Sequence, residues 1–187
     1  MEANSSRCVE ESIPLTPVKL EMYRGDSFQV VVDKPEYALA IAIALRAKLK
    51  AETPDGQKLW DARLAVGVGD ISFESDNIVT SDGEAFRLSG HSFDHIGKKR
   101  LSISTPWPDF NTNIELVTRF ADDLITSWTA KQARVVYQSM LFPKLQKDLA
   151  EELDMTRQNF NYHWSSARGQ LILDYIEYFK SLISKYI

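Results

Sequence analysis

The chain has 187 residues, 44% of them hydrophobic and 26% charged, which is enough for one ordinary domain with a small second one. Its net charge of −4 and isoelectric point near 5.4 exclude a protein that coats nucleic acid over its whole surface, so any polyanion contact must be confined to a patch. A single cysteine, Cys8, excludes an internal disulfide, and three histidines leave little material for a zinc site, so the expected compartment is the reducing cytoplasm.

The opening "MEANSSRCVEESIPLTP" has neither a basic start nor an apolar run. It reads as a flexible arm over residues 1–17 and not as a signal peptide, and no stretch approaches the roughly 18 apolar residues that span a bilayer. No membrane association is expected. Two β-rich runs follow, Val18 to Tyr23 and Ser27 to Val32, joined through Arg24, Gly25 and Asp26 as a hairpin. Pro35 sits where a first helical turn tolerates it, and "EYALAIAIALRAKLKAE" continues as an alanine-rich helix able to approach a sheet closely. "TPDGQK" ends that helix. "DARLAVGVGDISF" reads as a buried strand and "NIVTSDGEAF" as a short strand entering a turn at Asp82 and Gly83. A helix is expected from Glu84 to Ile96, closed by Gly97, and then a last strand in "KKRLSISTP".

"PWPDFN" is the clearest break in composition, and everything after it reads as helix. Asn113 to Ser127 carries Ile114, Leu116, Val117, Phe120, Leu124 and Ile125 at helical spacing. Thr129 with Gln132 forms a capping-box pattern that opens a helix to about Met140. Two short helices and a longer one over Gln170 to Tyr186 complete the chain.

The two short helices fit a helix-turn-helix over about 145–168, in which two helices meet steeply across a tight turn. Ala150 is the small residue at the crossing, Leu149 and Leu153 are anchors, Asp154 takes the turn site often held by glycine, and Met155 follows it. Thr156 caps the next helix, and Phe160 and Trp164 make its apolar face. Arg157, Gln158, Asn161, His163 and Arg168 form the expected outward set, donors suited to base edges and phosphates of double-stranded DNA. From Thr156 to Gln170 there is no Asp or Glu, which a merely solvated polar face does not require. Tyr162 and Trp164 could stack on bases, but aromatics at helical spacing are more often core.

Several smaller patterns compete. Asp26 in the hairpin turn is the kind of carboxylate that, with a second on a neighbouring strand, holds magnesium on a nucleotide. His91 and His95 lie four apart near Asp94, a permissible metal spacing without a clear third ligand. "GHSFD" around Ser92 lacks the closing glycine of a nucleophile elbow, "GVGD" has too few glycines for a phosphate loop, and "GKKR" is a short basic cluster.

Taken in order, "MYRGDSFQ", the alanine-rich helix, "DARLAVGVGDI", "SDGEAFRLSG" and "WTAKQARVVYQ…LQKDLAEELDMTRQNFNYHW" resemble the SatD-like family of small bacterial proteins from Leu20 to the end. The resemblance implies an α+β chain: a partial ferredoxin or cyclase-palm-like antiparallel sheet with helices over 18–106, then an all-α helix-turn-helix domain over 107–187. The family pattern also has an opening strand whose aspartate faces the hairpin aspartate, and this chain has neither. Asp26 therefore lacks its companion, Glu21 and Asp70 being the substitutes at hand. The expected function is a DNA-binding transcriptional regulator, working as a homodimer, with the α/β part as sensor or dimerisation module. The alternatives are a palm-type protein that binds magnesium and a nucleotide with little or no catalysis, and a protein-protein interaction module.

Overall fold

The computed structural model describes residues 19–23, 27–70, 83–142 and 144–187. The molecule is mixed α and β, and mostly helical. Strands β1 (Lys19–Tyr23) and β2 (Ser27–Val31) pair antiparallel with Met22 opposite Phe28, the hairpin its sequence calls for. The turn between them, and the stretch 71–82 in which a further strand was expected, lie outside the described residues.

A 3-10 turn at Pro35–Tyr37 leads into α1 (Ala38–Ala51), which is buried on most sides. The alanines do permit close approach, but chiefly to another helix: α1 lies along α4 and only lightly against β3 (Leu64–Gly67). Strands β3 and β4 (Leu101–Ser104) pair in parallel, Leu64 with Leu101 and Gly67 with Ser104. This departs from the antiparallel sheet expected. The reason is the connection, because α2 (Glu84–Asp94) returns the chain across the pair, as a crossover between parallel strands requires. A side chain at Gly67 would place its Cβ 2.2 Å from the Ala85 carbonyl oxygen, so α2 packs directly on the β3 backbone.

Helix α3 (Pro108–Ser127) starts five residues before the expected Asn113. Pro108 occupies the first turn, where its missing N–H costs nothing and its fixed φ favours the helix, so "PWPDFN" begins a helix more than it interrupts the chain. Helix α4 (Ala130–Leu141) opens on the capping box: the Gln132 amide donates to Thr129 Oγ1 at 3.3 Å, and the Thr129 amide donates to Gln132 Oε1 at 2.8 Å. Helices α5 (Gln146–Glu152), α6 (Arg157–Ser166) and α7 (Gly169–Ile183) follow.

One apolar cluster joins α1, β4, α3, α4 and α7, from Leu39 and Ile43 through Leu101, Phe110, Ile125 and Trp128 to Phe179 and Ile183. It runs across Pro106 without interruption. A smaller cluster, Val135, Leu149, Ala150 and Phe160, lies between α4, α5 and α6, and Trp164 packs against both.

Candidate nucleic-acid interface

The turn between α5 and α6 is built by backbone hydrogen bonds. The Asp154 amide donates to the Glu151 carbonyl at 3.1 Å and the Met155 amide to the Ala150 carbonyl at 2.9 Å, while Asp154 takes a left-handed φ of 52°. This is a Schellman closure with aspartate in the position glycine usually fills. Thr156 then opens α6, its Oγ1 accepting from the Asn159 amide at 3.2 Å.

Phe160, fully buried among Val135, Leu149 and Ala150, fixes which way α6 faces. Ala167 is buried too, and its carbonyl accepts from the Trp128 indole N–H at 2.9 Å, tying the far end of α6 to the end of α3. Trp164 closes over Gly169, where an added Cβ would lie 2.3 Å from the indole ring. With these inward positions set, the helical turn of 100° per residue places Gln158, Tyr162 and Ser165 outward. Tyr162 is 66% exposed.

The expected site residues do not form one compact row. Thr156, Arg157 and Gln158 are exposed together at the start of α6. Asn161 is half-buried on the flank it shares with Arg157. His163, two positions further, points to the opposite flank, half-buried towards α4; burial, and then the nearby Lys131 charge, hold its pKa below the ordinary histidine value. It therefore carries less positive charge near neutral pH than an ordinary histidine. Arg168 is exposed but lies beyond α6, in a left-handed conformation at the N-cap of α7. Tyr162 is an outward residue that helical spacing alone leaves open between core and base stacking. Its spacing of four from Gln158, once Phe160 is fixed as the inward pole, is the signal that would have found it.

Charge around α6 is mixed. Among the described residues neither Arg157 nor Arg168 forms an ion pair. The neighbouring α5 carries acids, of which Glu152 pairs with Lys144, and Asp148 has Lys147 Nζ at 4.0 Å. These pairs reduce the repulsion a polyanion would meet there.

The other candidates lie elsewhere in the chain. Asp26 and the Glu21 side chain lie outside the described residues, and Asp70 lines a cleft with Glu84, Trp107 and Tyr186. Among the described residues no group of three His, Cys, Asp or Glu side chains is placed to hold a metal ion. His91 and His95 stack at 4.4 Å, and His95 Nδ1 lies 2.8 Å from the His91 carbonyl oxygen, a contact that closes α2. Asp94 beside them is exposed. Ser92 is inside α2, bonded to Ser102 at 2.9 Å, and not at the strand-to-helix apex a nucleophile elbow needs. At Gly69 of "GVGD" an added Cβ would lie 2.9 Å from the Glu84 carboxylate, the wrong charge for a phosphate cradle. In "GKKR", Lys99 lies 3.8 Å from Glu115 and Arg100 3.6 Å from Asp61.

No known family model, curated protein or solved structure matches the chain. No helix among the described residues is long and apolar enough to cross a membrane.

Proposed function

We propose that this chain is a DNA-binding regulator in which α5 and α6 act as a helix-turn-helix and α6 enters the major groove of double-stranded DNA. The observation that carries the reading is the exposure of Thr156, Arg157, Gln158, Tyr162 and Arg168 along a stretch that contains no carboxylate. Arg157 and Gln158 stand at the N-terminal end of α6, where a recognition helix touches base edges, and the positive end of the helix dipole favours a phosphate there. Tyr162 and Arg168 extend the contact along the backbone. Asn161 and His163 support the helix from its flanks. One such unit covers few base pairs, so the working form is a homodimer on two half-sites. The part before Pro106, read with its hairpin as a partial palm-like unit of the SatD-like kind, serves as a sensor module.

The test is selection from a random duplex pool by the purified protein, followed by titration of the enriched sequence at moderate salt. Arg157→Ala and Gln158→Ala each lower affinity for that sequence roughly ten-fold or more, as loss of one base-edge contact does, while leaving the thermal transition in place. If no sequence is enriched, or if both variants bind like the parent, α6 is not a recognition helix.

A further inference from the structure

Five large apolar side chains on α3 and α7 face solvent. Leu116, Val117 and Phe120 lie on the first helix, and Leu171 and Tyr178 on the second; Phe120 is 66% exposed and Leu116 57%. The helices run antiparallel, side by side. Phe110 meets Phe179 and Tyr186 edge-on at 5.8 and 5.7 Å, and eight residues later Thr118 Oγ1 lies 2.7 Å from the Tyr175 hydroxyl. From that contact line the helical period turns Val117 and Phe120 away from the core on α3, and Leu171 and Tyr178 away from it on α7. Because the two helices are antiparallel and share one buried side, both sets turn the same way and make one continuous face. Taking ~200 Å² for a large side chain, the face exposes on the order of 500 Å² of apolar surface, in the range of the largest patch a monomer shows.

We infer that this face pairs with a second copy of the chain across a two-fold axis close to Phe120. Arg119 and Asp123 are exposed one turn apart beside Phe120, and among the described residues neither forms an ion pair. A two-fold axis there lays α3 antiparallel to its counterpart and sets Arg119 against Asp123 of the partner subunit, twice over. Such self-complementarity is what an isologous interface requires. A stable interface buries roughly 800 Å² per partner, so the apolar face forms its centre, with the charged flank of α3 as rim. The inference deepens the pairing in the proposed function by naming its surface, yet rests on exposure and charge along α3 and not on DNA contact.

The experiment is sedimentation velocity on the full chain without DNA. The parent sediments as a dimer and Phe120→Glu as a monomer with unchanged far-ultraviolet circular dichroism. Arg119→Asp raises the dissociation constant at least ten-fold, and adding Asp123→Arg to it restores dimerisation. A parent that stays monomeric at every concentration, or a dimer indifferent to Phe120→Glu, overturns the inference. So does a monomer that pairs only after residues 1–17 are removed, since the arm would then be the occupant of this face. A dimer that binds no DNA leaves the interface standing and removes the recognition helix instead.

Discussion

Asp154 and Arg168 are the two non-glycine residues with left-handed backbone among those described, with φ of 52° and 56°. Each closes one end of the α6 unit. An L side chain in this region costs about 1 kcal/mol or more relative to glycine, with aspartate penalised least. Asp154→Gly is therefore expected to raise the stability of the chain by up to about 1 kcal/mol, read as a higher urea midpoint at unchanged slope. Arg168→Gly is expected to do the same while weakening DNA binding. Opposite signs for stability and affinity at Arg168 would mark a side chain kept for contact and not for folding. The aspartate turn was legible in the sequence, because Asp154 stands where the helix-turn-helix pattern needs positive φ. The arginine turn was not, since nothing local distinguishes Arg168 from a last helical residue until Trp164 is seen packed over Gly169.

At the scale of the element, α1 combines an alanine-rich surface with two buried cations. Arg46, fully buried, donates through Nε and Nη2 to both oxygens of Asp61 at 2.9 Å and through Nη1 to Asp122 on α3 at 2.6 Å. Lys50, also buried, lies 3.5 Å from Asp61 and donates to the Thr126 carbonyl at 3.0 Å. Arg46→Met would take from Asp61 and Asp122 the guanidinium they share, leaving Asp61 with Lys50 and Arg100 and Asp122 with the Arg100 amide, and is expected to cost about 3 kcal/mol, measured by denaturant unfolding. Burial pushes the Asp61 carboxyl up, but hydrogen bonds and charge from Arg46, with Lys50 behind it, outweigh that and hold its pKa below the ordinary aspartate value. A depressed pKa in the folded state stabilises in full above the unfolded value of ~3.9 and loses that contribution as pH falls through the folded value. Melting temperatures followed downward from about pH 5 should therefore fall more steeply for the parent than for Asp61→Asn. The sequence announced none of this. Arg46 sits amid small apolar residues, and its two acidic partners are 15 and 76 positions away.

Across the whole molecule, the break at Pro106 in composition is not a break in packing. Helix α4 lies along α1, the Arg134 guanidinium donates to the Ala51 carbonyl at 3.1 Å, and the apolar cluster includes residues from both sides of the break. A fragment of residues 107–187 would expose the faces of α3 and α4 that α1 covers. It is expected to show reduced helicity by circular dichroism and no cooperative thermal transition, whereas the full chain melts in one step. A fragment that folded and bound DNA as the parent does would make the helical part an independent domain.

Local signals determined much of the outline by themselves: the hairpin, the capping box at Thr129, the positions of β3, α2 and β4, and the order of helices after Pro106. These depend on turn chemistry, capping and periodicity within a few residues. Periodicity did not determine which face of α3 is core. Ile114 and Ile125 are buried with Phe110 and Ala121, while Leu116, Val117 and Phe120 on the same helix face solvent. A helix with apolar residues over more than half its circumference has two possible inward faces, and only the neighbours decide between them. The parallel pairing of β3 with β4, the burial of Arg46 and the outward turn of Tyr162 are of the same kind. Each was decided by where distant segments come to lie, because burial and charge pairing are properties of the packed chain and not of any window of its sequence.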